Sequence, residues 1–160
     1  MVVANSSVLI HLSRVGRLDL LERIFGRIVI PKAVYRECVV EGRGRPGAEE
    51  IASAPWIEVR SISSEALKRS FMFLLDEGEA EVIVLAIEAG ADLVILDERE
   101  ARLVAKSFGL KVTGTLGVLL RAKRLGLVKS MKEELERLKA AGFRLSADLE
   151  EKALREAGEA

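Results

Sequence analysis

The sequence predicts an α/β fold, a three-layer α/β/α sandwich around a mainly parallel central sheet. Short β-branched runs alternate with longer runs of helical period as far as Gly114, and strands separated by helices pair in parallel through right-handed crossovers. With 160 residues, 49% of them hydrophobic, the chain suits one domain with a sizeable core. The apolar run Leu93 to Leu96 stops at Asp97-Glu98, and acid at the carboxyl end of a buried strand is where open α/β sheets keep their chemistry.

Val2 to Ala4 reads as the first strand, followed by helices from Ser6 or Ser7 to about Val15 and from Arg17 to Phe25. Ile28 to Ile30 is the second strand, and Pro31 suits the first turn of a helix running to about Val40. Gly42 to Gly47 is the clearest loop, with glycine at every second or third position and a proline. Trp56 to Val59 reads as a strand, Ser64 to Leu75 and Gly78 to Ala89 as helices, and Leu93 to Leu96 as a strand. A helix over Glu98 to Phe108 and the short strand Lys111 to Thr113 follow. Beyond Gly114 the pattern is wholly helical: Thr115 to Leu125, Ser130 to Ala141 and Ser146 to Ala157. Ser130 and Glu133 have the spacing of a capping box. The expected organisation is a domain over residues 1–128 with a C-terminal helical extension, 129–160, packed on it, where Met131, Leu135 and Leu138 are core or dimer surface.

Composition excludes several classes. A single cysteine, Cys38, cannot form an internal disulfide, and its apolar helical setting fits a reducing cytoplasm without thiol chemistry. The amino terminus lacks the pattern of a signal peptide, and no apolar run approaches the roughly 18 residues of a membrane span. Basic and acidic residues balance at 25 each, so a nucleic-acid partner needs a local patch. One asparagine, no glutamine and 31% charged residues resemble the composition of heat-adapted proteins.

Glu79 is the most informative residue. A step of about 100° per residue aligns it with Val82, Ile83 and Ala86, whereas Glu81 and Glu88 share the opposite, solvated face. A carboxylate out of water must be paired, protonated or bound to a cation. Asn5 and Asp97 end their strands, and Glu37 borders the apolar arc of Val34 and Cys38. These four oxygen-bearing side chains converge if the strands lie side by side, and clustered carboxylates call for a hard cation, magnesium or manganese.

Val3 to Ile10, Ile30 to Glu37, Gly78 to Ala86 and Leu93 to Asp97 resemble, in order and spacing, the four acidic motifs of the PIN-domain nucleases. Gly114-Thr115-Leu116-Gly117 and the tail Ala141 to Ser146 are similar to a poorly characterised prokaryotic branch related to the ribonucleases of toxin-antitoxin pairs. The resemblance implies a metal-dependent ribonuclease that holds magnesium or manganese through Glu37, Glu79, Asp97 and Asn5, with RNA as substrate, a cognate antitoxin protein and a homodimeric assembly. The family's first acid is here Asn5, which brings no charge. The alternative is therefore a catalytically weakened module of the same fold that binds RNA or protein.

Each residue has a plainer reading. Asn5 and Asp97 are good helix caps, Glu37 suits a solvated helix edge, and Glu79 in a first turn suits the helix dipole. Glu98 and Arg102 have the spacing of a surface ion pair. Ser7 and Thr115 are expected to hydrogen-bond ligands or substrate. Arg43 and Arg45 on the glycine-rich loop, and Arg121 and Arg124 on one helix, are candidates for RNA phosphates, with solvated charge as the default. The only histidine, His11, has no motif partner and reads as packing or surface.

Overall fold

The computed structural model describes residues 1–160. Five strands, β1 (Val2–Ala4), β2 (Ile28–Pro31), β3 (Ile57–Arg60), β4 (Leu93–Ile95) and β5 (Val112–Thr113), form one all-parallel sheet in the order β3-β2-β1-β4-β5. β1 and β4 run in phase, Ala4 beside Ile95. Their connections leave in opposite directions along the sheet, so the topological switch point lies between them, at the ends that carry Asn5 and Asp97.

The helices are α1 (Ser6–Arg14), α2 (Asp19–Phe25), α3 (Lys32–Tyr35), α4 (Ala48–Ser53), α5 (Glu65–Phe71), α6 (Glu77–Ala89), α7 (Arg99–Ser107), α8 (Thr115–Arg124), α9 (Met131–Ala140) and α10 (Ala147–Glu156). α1, α2 and α8 pack together against one face of the sheet; α5, α6 and α7 do so on the other, giving the α/β/α sandwich. α9 and α10 rest on α8, and Met131, Leu135 and Leu138 join the buried core. Glu134, 2% exposed, receives Arg17 and Arg137 and so ties α9 to the turn before α2. No helix is long and apolar enough to cross a membrane.

Five local expectations are corrected. Pro31 is the last residue of β2, extended at φ −75° and ψ 164°, and helix α3 begins after it. That helix then widens into a π-helical turn over Arg36–Val40. Ala48–Ser53 is helical where no element was expected, and α5 ends at Phe71, not Leu75. Glu81 is buried, because α3 and α5 both cover α6 and leave its residues 78 to 86 no solvent face. There it accepts the Ala33 N–H at 3.0 Å and the Lys68 ammonium at 2.6 Å.

Candidate functional site

Asn5 follows β1 directly, and its N–H donates to Ile95 O across the switch point at 3.0 Å. It occupies the N-cap of α1 in extended conformation, but its side chain caps nothing. At 3% exposure its Oδ1 is a buried acceptor without a donor. Such groups are uncommon, and each calls for a partner.

That oxygen faces Glu37. A Cβ at Gly78 would stand 2.2 Å from Glu37 Oε1 and 3.4 Å from Asn5 Oδ1, so both oxygens look onto the same bare stretch of backbone. Glycine is required here for close approach. The other Glu37 oxygen accepts the Ser6 hydroxyl at 2.9 Å. Burial raises the Glu37 pKa above the usual carboxylate range; Ser6 pulls it down, and the charges of Asp76 and Glu41 push it up again.

Glu79 is 7% exposed, as its helical phase requires. It forms a reciprocal capping box with Asp76: the Asp76 N–H donates to Glu79 Oε1 at 3.0 Å, and the Glu79 N–H to Asp76 Oδ1 at 2.8 Å. Burial raises its pKa, the Asp76 N–H lowers it, and the charges of Asp76, Glu98 and Glu37 raise it further. Glu37 and Glu79 thus repel each other and their acidic neighbours with little cationic compensation.

Asp97 is different. Its Oδ1 accepts the Thr115 N–H at 2.7 Å; its Oδ2 accepts the Thr115 hydroxyl at 2.6 Å and lies 3.0 Å from His11 Nδ1. Burial would raise its pKa, but the hydrogen bonds from His11 and Thr115 hold it below the usual range. Gly114 lets Asp97 come this close, since a Cβ there would meet Asp97 Oδ1 at 2.6 Å.

The sequence did not single out His11, Ser6 or Asp76 for the site. Ser7, Ile10, His11 and Arg14 form the less buried stripe of α1 at helical spacing, and that stripe borders the site. His11 is held edge-on by Phe143, ring centroids 4.9 Å apart. Ser7 Oγ is a second buried oxygen without a partner. Asp76-x-x-Glu79 was legible as a capping box. The expected Glu98–Arg102 pair is absent, because Arg102 Nη1 turns inward to Leu96 O at 3.0 Å.

Of the basic candidates, Arg45 joins Arg14 around a pocket of about 220 Å³ whose wall includes Glu37, and Arg43 lies exposed on the same loop. Arg121 stacks over Phe25, 5.1 Å from its ring, near the amino ends of the strands. Arg124 lies a further turn along α8. The axis of α8 carries both away from the site that its first residue, Thr115, helps to build.

No three acidic, histidine or cysteine side chains converge on one point. The oxygens that do share one are the Asn5 amide and the Glu37 carboxylate, with Glu79 alongside and Asp97 across the switch point. An orphaned neutral oxygen beside under-compensated carboxylates is a hard-oxygen set that suits a cation retaining several waters.

A five-stranded all-parallel sheet between helical layers, with Asn5 and Asp97 just beyond the carboxyl ends of β1 and β4 at the switch point, defines the class, an α/β/α sandwich domain. The chain belongs to the PIN-domain family: the family's model, described as PIN domain, matches residues 1–159. Proteins of this family are generally nucleases. No curated protein matches the chain.

Proposed function

We propose that the protein is a ribonuclease dependent on magnesium or manganese, with Asn5, Glu37, Glu79 and Asp97 facing the cation. The observation that carries this reading is the pairing of the partnerless Asn5 Oδ1 with the Glu37 carboxylate at Gly78, beside a second carboxylate raised in pKa. When bound, such a cation neutralises charge and lowers the pKa of water at a phosphodiester. Ser6 orients Glu37, Asp76 fixes the first turn that carries Glu79, and Thr115 with His11 keeps Asp97 ionised and aimed. Arg45, which shares a pocket wall with Glu37, and Arg43 on the same loop would hold RNA phosphates in this reading. Family resemblance extends the reading to the toxin of a toxin-antitoxin pair, working as a cytoplasmic homodimer and silenced when its antitoxin covers the site.

The second reading, a module that binds RNA or protein without cutting, is favoured by Asn5, which removes one charge, and by Asp97, whose oxygens are already engaged. Manganese titration calorimetry run beside a cleavage assay on structured and unstructured RNA separates the two. Binding with cleavage supports the ribonuclease, and binding of RNA without cleavage in manganese supports the module.

A further inference from the structure

A cavity of about 480 Å³ begins at Asp97 and extends away from the carboxylates along the outer edge of the sheet. Its charge is opposite to that of the site. Arg99, Arg102 and Lys106 line it from α7 at helical spacing, and Arg144 faces them from the segment between α9 and α10. Between the cations the surface is mostly apolar, with Leu103 and Leu149 exposed and Phe143 half-buried.

β5 is an edge strand. Its inner side is used, since Lys111 O accepts from Val94 N at 2.9 Å and Thr113 O from Leu96 N at 2.8 Å. In a parallel ladder the intervening residue points its N–H and C=O the other way, which puts those of Val112 on the cavity side. An unpaired sheet edge flanked by apolar anchors and four cations meets the requirements of strand addition. Backbone pairing supplies register, and alternate side chains turn toward the two walls of the cavity, one carrying Arg99, Arg102 and Lys106 and the other Leu116, Phe143 and Leu149. A nucleic acid would satisfy the cations but would leave the apolar anchors and the open edge unused.

We infer that this groove docks an extended peptide segment of another protein, in which acidic and apolar side chains alternate. The inference stands apart from the cleavage reading, because the groove is built from residues outside the carboxylate cluster, except for Asp97 at its mouth. A segment seated there also closes one approach to Asp97.

The test is selection of a display library of random peptides of about ten residues, the upper length of ordinary strands, on the full chain and on Arg99→Glu/Lys106→Glu/Arg144→Glu. These side chains are exposed, and the circular dichroism melt of the variant verifies its fold. Expected are peptides alternating Asp or Glu with apolar residues, binding at least about tenfold more weakly to the variant and shifting the amide resonances of Val112 and Thr113. Rising sodium chloride must weaken the same peptides on the unaltered chain, an arm that needs no substitution. Selected peptides without acidic bias, equal affinity for the variant, or no enrichment overturns the inference. Polyuridylate binding that drops about tenfold on the variant while no peptide is enriched gives the groove to substrate RNA instead.

Discussion

Replacing Gly78 with alanine tests whether the Glu37 carboxylate and the Asn5 amide oxygen form one site. The added methyl group would stand 2.2 Å from Glu37 Oε1, a distance that cannot persist, and 3.4 Å from Asn5 Oδ1, an ordinary contact. The end of a flexible side chain moves more cheaply than backbone, so Glu37 swings away. Alanine is favoured over glycine in a helix by about 0.8–1 kcal/mol, and by less in a first turn. The displaced carboxylate gives up the 2.9 Å bond from Ser6, which for a charged acceptor is about 1.5–3 kcal/mol. Its release from a setting that disfavours its charge offsets part of that loss. Net stability therefore changes by about 1 kcal/mol, equivalent to about 2–4 °C in Tm for a chain of this size. Manganese response should fall far more. Scanning calorimetry of both proteins in EDTA and in manganese reads the two effects separately, with RNA cleavage as a third measure. A Gly78→Ala protein whose Tm rises with manganese as much as the parent's refutes the shared site, and a loss of more than about 10 °C in EDTA refutes the packing argument.

Divalent manganese should raise the Tm of the parent and EDTA should reverse it, because binding to the folded state alone stabilises it; indifference to manganese counts against a cation site. Glu37 and Glu79 have raised pKa values in the folded state, so the stability they contribute is present below their unfolded values and lost as pH rises through the folded ones. In EDTA the protein should accordingly melt higher near pH 5 than near pH 7, and Glu37→Gln should flatten that difference, as calorimetry at the two pH values shows. Asp97 has the opposite sign: its contribution is present above the unfolded value and lost as pH falls through the lowered one. Thr115→Val removes the 2.6 Å hydroxyl bond, costing about 1.5–3 kcal/mol, and should move acid unfolding to higher pH by circular dichroism. Asn5→Asp should tighten manganese binding and increase RNA cleavage, yet lower stability in EDTA by placing a charge beside Glu37; if neither affinity nor EDTA stability changes, Asn5 is outside the cluster.

The five strands and the two strand-end residues were legible because β-branched runs and their polar terminators are local signals, whereas the order β3-β2-β1-β4-β5 is a tertiary arrangement that those signals do not carry. Glu79 was legible from helical phase alone. The same phase misplaced Glu81, because periodicity reports one buried face and cannot show that α3 and α5 cover the other. The His11–Asp97 contact spans 86 positions of sequence and depends on how α1 lies over β4, which no local pattern encodes. The π-helical turn at Arg36–Val40 is likewise set by tertiary packing, since its residues would serve equally in an ordinary helix. Arg121 and Arg124 lie at the far end of α8 from Thr115, a placement hidden from the sequence because a basic pair on a helix carries no information about which end of the sheet it faces.

The in-phase pairing of β1 with β4 divides the site mechanically. Asn5 and Asp97 hang from adjacent central strands, whose separation of about 4.8 Å is fixed by backbone hydrogen bonds. Glu37 comes from the π-helical turn that continues α3 and Glu79 from the first turn of α6, and helices can tilt by fractions of an ångström without breaking the sheet. A ligand of different size would be accommodated by movement of α3 and α6, while the strand-borne pair holds still. Amide exchange should reveal the same partition, slowest at Val3 and Val94 and faster around Arg36 and Gly78, so that the site adapts along one wall and keeps its reference on the other.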